Sequence, residues 1–296
     1  MLTVAVTGAT GAQGGATARA LLAAGHHVRA LTRNPDAPAA RALHALGAEI
    51  RHADFDDRAS LDAALTGAEA LFAVTTPFGT DTDTEVRQGR ALVDAATAAR
   101  LAHVVLTSAA HADRGTGVPH YDSKHRIERY LCASGVPWTV IAPAAFMDNY
   151  AGGWTLSGLR EGVFGWPMPA DRPFALIPSA DIGAFAALTF SRRAEFLGRR
   201  IDIASDTRTP EQIAAALTTA TGRPVAHHKV ALDIVRTRST DLAAMFAYFT
   251  TPGLDVDAPA LRRAYPEVGW HTFADWAAGR DWPALLHAPR TEEAHT

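Results

Sequence analysis

Short apolar runs alternate with longer amphipathic stretches through the first half of the chain. Residues 2–6 make an apolar run of strand length, and residues 13–24 have a helical composition that stops at Gly25. The same pairing then recurs. Strands are predicted over 27–31, 49–52, 70–74, 104–106 and 138–141. The spacing predicts helices over about 37–46, ending at Gly47, and over a short stretch where Asp56 or Asp57 caps Leu61 and Leu65. A long helix over 82–100 starts at Thr82-Asp83-Thr84-Glu85, which has capping-box spacing, and a further helix covers 120–133. Short strands without polar alternation belong to a parallel sheet covered by helices on both faces. The pattern therefore predicts an α/β fold, a doubly wound parallel sheet of the Rossmann type.

Beyond Pro143 the rhythm breaks. Residues 147–160 are weakly helical and hold Gly152, Gly153 and Gly158, and 162–178 are rich in Gly, Pro and aromatic residues. Ser179-Ala180-Asp181 opens an apolar helix to about Ser191, and 200–204 look like a returning strand. Thr209-Pro210-Glu211-Gln212 combines an N-cap, a proline in the first turn and a glutamine three residues on, so a helix starts there. Further helices are expected over 233–249 and from 272 to 278, followed by a frayed polar tail from Pro289. These features divide the chain into a dinucleotide-binding domain over 1–150, completed by 179–204, and a smaller lobe over 151–178 and 205–296. The lobe is expected over the carboxyl edge of the sheet.

Composition narrows the class of protein. The 296 residues are 48% hydrophobic and 20% charged with a net charge of −3, which gives no general affinity for nucleic acid or anionic membrane. A single cysteine, Cys132, excludes an internal disulfide, and no Cys/His cluster has zinc-site spacing. His26-His27 and His227-His228 are adjacent pairs that point opposite ways on a strand, so no metal is expected. With a first strand beginning at Leu2 and no apolar run near the ~20 residues of a membrane span, the expected location is the cytoplasm.

The turn from the first strand into the first helix is Thr7-Gly8-Ala9-Thr10-Gly11-Ala12-Gln13-Gly14-Gly15. Gly8 allows a tight turn, Gly11 lets backbone N–H groups approach a phosphate, and Gly14 lets helix and strand pack closely. The spacing is G-x-x-G-x-x-G, and the helix start adds unpaired donors and partial positive charge. Gly8, Thr10, Gly11, Gln13 and Gly14 are thus candidates for holding a pyrophosphate. An NAD-specific fold places an acid at the end of the second strand. Here that strand ends in Leu31-Thr32-Arg33-Asn34, and Arg33 supplies a planar cation for a 2′-phosphate, so the expected cofactor is NADP(H). Asp54 and Phe55 could border the adenine, and Thr75, Thr76 and Pro77 should line the middle of the groove.

With these residues in view, the sequence resembles the NmrA-like family of atypical short-chain dehydrogenase/reductases, especially its HSCARG branch of NADPH-sensing proteins. The matching stretches are 7–15, Thr32-Arg33-Asn34-Pro35, Gly47-Ala48-Glu49, Glu85-Val86-Arg87-Gln88-Gly89, 120–130 with Lys124, Gly135-Val136-Pro137 and 179–183. Residues 272–276 resemble the family's last helix. The resemblance implies NADP(H) binding and either reductase activity or a cofactor-sensing role without turnover. Typical relatives use a Ser after the fifth strand and a Tyr four residues before a Lys. This chain has Ser108 and Lys124 at the outer positions, but His120 where the Tyr would stand, with Tyr121 one step along. Tyr121 is rotated ~100° from His120 on a helix, and His120 beside Lys124 is the better-placed proton donor. The catalytic candidates are therefore Lys124, His120 and Ser108, with Lys124 also touching the cofactor.

Pro143 and Phe146 should pass the nicotinamide, with Asn149 nearby, and Trp154, Phe164, Trp166, Met168 and Phe174 either wall an acceptor pocket or form the lobe's core. Two readings follow. One is an NADPH-dependent reductase of a small conjugated or aromatic acceptor such as a quinone or enone. The other is a redox sensor that regulates a protein partner. A protein partner or a homodimer is compatible with both, and nucleic acid and membrane are not expected partners.

Overall fold

The computed structural model describes residues 1–287. In chain order the first elements are β1 (Thr3–Val6), α1 (Ala12–Ala23), β2 (His27–Thr32), α2 (Pro38–Ala45), β3 (Glu49–His52) and α3 (Arg58–Leu65). They continue as β4 (Ala70–Ala73), α4 (Thr82–Ala98), β5 (His103–Thr107), α5 (Pro119–Ala133) and β6 (Trp138–Pro143). Next come β7 (Ala145–Phe146), α6 (Gly153–Arg160), β8 (Val163–Trp166), β9 (Phe174–Ile177), α7 (Ser179–Ser191), α8 (Arg193–Phe196) and β10 (Arg200–Ile203). The remainder is β11 (Asp206–Arg208), α9 (Pro210–Thr221), β12 (Ala226–Lys229), α10 (Leu232–Arg238) and α11 (Thr240–Tyr248). It closes with α12 (Ala258–Ala264), α13 (Phe273–Ala278) and α14 (Trp282–His287).

Two units are distinguished, one comprising residues 1–114, 120–143 and 179–202, the other 115–119, 144–178 and 203–296. The first holds a seven-stranded sheet ordered β10-β6-β5-β4-β1-β2-β3. Registers such as Val4 beside Val28 and beside Ala70 are parallel. Every residue of β4 and β5 is buried, which explains why these runs carry no polar alternation. Strand order reverses between β1 and β4, so the loops after these two strands flank the crevice where open α/β sheets bind ligands. Thr7 staples these loops together. Its hydroxyl oxygen accepts from the Val74 N–H at 2.7 Å and lies 3.1 Å from the Val74 carbonyl. On one face α1 and α7 cross so closely that a Cβ on Gly183 would lie 2.6 Å from the Ala16 carbonyl carbon.

The second unit contains a three-stranded sheet, β11-β9-β7, and a β12-β8 pair. Its core is aromatic. Tyr150 is fully buried and packs on Phe164, Trp166, Phe273 and Trp276 at ring-centroid distances of 5.6, 5.0, 5.1 and 6.3 Å. Burial raises the Tyr150 phenol well above its ordinary value, and its hydroxyl has no hydrogen-bond partner among the described residues.

Local signals set most boundaries. Thr209 and Thr272 each form a complete capping box, with Gln212 and Asp275 respectively. Three expectations need correction. The N-cap of α4 is Asp81, whose carboxylate accepts from the Thr84 N–H at 2.7 Å, and Glu85 turns inward instead of closing a box with Thr82. The helix expected over 233–249 is broken at Ser239, which adopts extended backbone and caps α11 through the Leu242 N–H. The segment 162–178, without a regular pattern, contains β8 and β9. The expected tail from Pro289 lies outside the described residues.

Among the described residues no helix is long and apolar enough to cross a membrane, and no group of three His, Cys, Asp or Glu side chains is placed to hold a metal ion. One buried histidine gives the first unit a pH-dependent stability. His103 on β5 is fully buried, and burial with the nearby Arg193 charge lowers its pKa from 6.5 to about 4. The Thr139 hydroxyl donates to the Phe196 carbonyl at 2.9 Å, so His103 Nε2 donates to Thr139 Oγ1 at 2.8 Å. Protonation would then place an N–H on Nδ1, which has no partner among the described residues. The unfolded chain binds this proton more readily. The contribution is therefore complete above about pH 6.5 and drains as pH falls toward 4, by about 3 kcal/mol. Denaturant titrations from pH 7 to 4 should show that extra loss in the native sequence and not in His103→Leu. Equal losses in both would remove His103 as the cause.

Candidate active site

The glycine turn is shaped by backbone sterics. Gly8 has φ +58°, where only glycine is unstrained. A Cβ on Gly14 would lie 2.3 Å from the Gly8 carbonyl oxygen and 2.5 Å from the Thr7 carbonyl oxygen. Gly11 differs, since its Cβ would meet only the Gly8 carbonyl oxygen at an ordinary 3.4 Å. Protein packing therefore does not demand glycine at 11, whereas close approach of an anion does. Gly11 is also the N-cap of α1. No side chain caps that helix start, and its first turn holds no acid. Gly8, Thr10 and Gly11 are exposed, while Gln13 is half-buried with its side-chain carbonyl accepting from Thr107 Oγ1 at 2.8 Å. An uncapped helix N-terminus behind a glycine turn fits a diphosphate.

At the end of β2 the Asn34 N–H donates to Thr32 Oγ1 at 3.2 Å, and the Asp36 N–H donates to Asn34 Oδ1 at 3.1 Å. Both polar neighbours of Arg33 are thus occupied in shaping the turn. Arg33 itself is exposed and makes no hydrogen bond or ion pair among the described residues. The Asp56 carboxyl is held below its usual range by hydrogen bonds from Arg87 and Gln88, to which the Arg33 charge adds. Asp54 accepts from the Asp56 N–H at 3.0 Å and so builds its own turn, and Phe55 packs half-buried against the core beneath it.

The end of β4 and the starts of α4 and α5 converge on one carboxylate. Glu85 is completely buried. Its Oε1 accepts from Lys124 Nζ at 2.6 Å and from Thr75 Oγ1 at 2.9 Å, and its Oε2 accepts from Ser123 Oγ at 2.5 Å. Lys124 Nζ also donates to the Thr75 carbonyl at 2.5 Å. Thr76 is exposed, with its hydroxyl oxygen accepting from the Phe78 N–H at 3.2 Å. Beside this cluster the His120 ring lies 4.7 Å from Tyr121 and 5.7 Å from Phe78, whose own ring is 60% exposed. On α5, His120, Tyr121, Ser123, Ile127, Glu128 and Leu131 are all buried, so burial does not separate His120 from Tyr121.

Ser108 belongs to a different cluster. Its hydroxyl donates to the buried Glu128, whose other oxygen accepts from Arg200 Nε at 3.0 Å. Arg200 further donates to Asp202 at 2.6 Å and to the Ala109 carbonyl at 3.0 Å. Burial alone would lower the Arg200 pKa, and the Glu128 and Asp202 carboxylates outweigh it and raise it. Pro143 at the end of β6 is buried, with its carbonyl accepting from the Ala110 N–H at 2.9 Å.

In the second unit, Phe146 is half-buried on β7, paired with Ile177 of β9, and Asn149 is exposed. Phe164, Met168 and Phe174 are fully buried and Trp166 nearly so, with the Trp166 ring stacked on Phe164 and Phe174 in that unit's core. The side chain of Trp154 lies outside the described residues. Local sequence reasoning missed Glu85, Glu128 and Arg200 as the centres of these two clusters, because the pairs Ser108–Glu128, Lys124–Glu85 and Arg200–Glu128 join residues 20, 39 and 72 apart in the chain.

The family model described as the NmrA-like family matches residues 2–277. The chain is 31% identical over 239 residues to the (4-alkanoyl-5-oxo-2,5-dihydrofuran-3-yl)methyl phosphate reductase of Streptomyces griseus, covering 79% of each chain. It is 31% identical over 233 residues to quinone oxidoreductase 2 of Escherichia coli, covering 77% of each. The crystal structure of that NADPH-dependent quinone oxidoreductase complexed with NADPH superposes with a TM-score of 0.76, at 28% identity over 93% of this chain and 98% of that one. NmrA, a negative transcriptional regulator solved in complex with NADP, gives a TM-score of 0.79 at 23% identity, over 95% and 99% of the two chains. At that identity the likeness shows the fold alone.

Proposed function

The chain belongs to the NmrA-like family, and on that premise we propose that it is an NADPH-dependent reductase of a small conjugated or aromatic acceptor, a quinone or an enone. The observation that carries the proposal is the glycine turn, open at Gly11 and backed by an uncapped helix start. Gly8, Thr10, Gly11, Gln13 and Gly14 would hold the diphosphate, and Arg33 would hold the 2′-phosphate. Asp54 and Phe55 would border the adenine. Thr75, Thr76 and Pro143 are the candidates for the nicotinamide half. The names of the Escherichia coli quinone oxidoreductase and the Streptomyces griseus reductase support the same class of chemistry.

Bound NADPH supplies a hydride, and the protein's task is to orient the reactants and deliver or admit a proton. Lys124, held by Glu85 and Thr75, would present an N–H to a ribose hydroxyl. His120 would serve as the proton donor. Ser108, donating to Glu128, would act by keeping the end of β5 in place.

Following NADPH absorbance with quinones, enones, imines and aldehydes tests the proposal, with turnover expected on the first two. Intact NADPH binding without turnover on any acceptor would assign the non-catalytic sensor reading instead. The choice of coenzyme has its own test. Arg33→Asp removes the charge-assisted contact and adds repulsion, so the Kd for NADPH should rise roughly a hundredfold while that for NADH changes little. Equal losses for both coenzymes would remove Arg33 from 2′-phosphate recognition.

A further inference from the structure

Of the 28 lysines and arginines in the chain, only Lys124 and Lys229 are lysines. Elsewhere the cation is arginine, including at the half-buried Arg200. Position 124 therefore uses the chain's minority cation. The geometry shows what a compact ammonium does there. Two of its N–H groups go to Glu85 Oε1 and the Thr75 carbonyl, at 2.6 and 2.5 Å. Thr75 Oγ1 accepts a longer bond from Nζ at 3.3 Å and donates its own proton to Glu85. Glu85 has no exposed surface and accepts from three side chains, while the Lys124 side chain keeps 13% exposure.

From this arrangement we infer that Glu85 is the positioning residue of Lys124. Its buried carboxylate balances the ammonium charge and fixes Nζ in one place, so that the third N–H, held only by the long bond to Thr75 Oγ1, can turn to a ligand hydroxyl. The pair is then a neutral, oriented dipole and not a free cation. Lys124 orients the coenzyme and contributes little net charge toward His120. A planar guanidinium could not direct its donors to these two acceptors from one atom, and a free lysine would lose rotamer entropy on each binding event. The inference rests on the proposed NADPH site, because a ribose hydroxyl is taken as the third acceptor.

Coenzyme affinity in a double-mutant cycle reads the coupling directly. Glu85→Gln and Lys124→Met should each weaken NADPH binding about tenfold. The double variant, in which neither charge is left buried alone, should bind no worse than Lys124→Met. A purely structural Glu85 would instead lower affinity by the same factor in both backgrounds, and that additive result would overturn the inference. A second readout does not depend on any ligand. With Lys229→Arg, an exposed position on β12, and 15N-labelled lysine, the protein has a single ε-ammonium. Its NMR signal should be visible through slow proton exchange in the otherwise native chain and lost in Glu85→Gln. Persistence of the signal in that variant would also overturn the inference. Absence of NADPH binding by the native chain, with the signal present and lost on substitution, would refute the coenzyme reading while leaving the pairing intact.

Discussion

Gly14→Ala is expected to reduce NADPH affinity by at least about a hundredfold, roughly 2.8 kcal/mol, and to lower stability by about 1–3 kcal/mol. The new Cβ would stand 2.3 Å from the Gly8 carbonyl oxygen and 2.5 Å from the Gly8 carbonyl carbon. Both are backbone atoms, so no side chain can swing aside and the turn itself must move. The N–H groups at the start of α1 move with it. Gly11→Ala is the informative contrast. Its Cβ meets ordinary contact at 3.4 Å, and the backbone at 11 is extended, with φ −96° and ψ −177°. Thermal unfolding of that variant should match the native chain while calorimetry shows a weakened coenzyme. If Gly14→Ala bound NADPH normally, the turn would not be the diphosphate site.

Arg200→Met should cost about 3–5 kcal/mol, read as a fall in the urea midpoint with an unchanged slope. The guanidinium pairs with Glu128 at 3.0 Å and Asp202 at 2.6 Å, and the Glu128 side chain is only 4% exposed. Methionine fills similar space but leaves a buried carboxylate without its cation. Adding Glu128→Gln to Arg200→Met should recover part of the loss, because the stranded charge is then gone. No recovery would mean that the damage comes from Asp202 and the Ala109 carbonyl, which also lose their donor.

How far the sequence was legible depended on the range of the interaction involved. The Thr209 and Thr272 caps involve partners three residues apart, so they could be located from spacing alone. The central strands β4 and β5 were visible because burial on both faces leaves no room for polar alternation. Gly8, Gly11 and Gly14 were recognisable because backbone conformation and close approach limit the choice of residue locally. By contrast, β8 is stabilised as a strand by β12, about 60 residues later, with Val163 beside Ala226. Nothing within a Gly- and Pro-rich segment announces such a pairing. Thr82-Asp83-Thr84-Glu85 misled for a related reason, since Asp81 capped the helix and left Glu85 available to a lysine 39 residues on.

By itself, then, the sequence determined the succession of strands and helices up to β6, the place of the glycine turn and the arginine after β2, all of which follow from backbone sterics and local periodicity. Only the tertiary structure decided which charges face one another. Lys124 is matched to Glu85 and Ser108 to Glu128 because folding places these polar groups beyond the reach of water, where each must find a partner. That requirement acts through space, and no spacing along the chain encodes it.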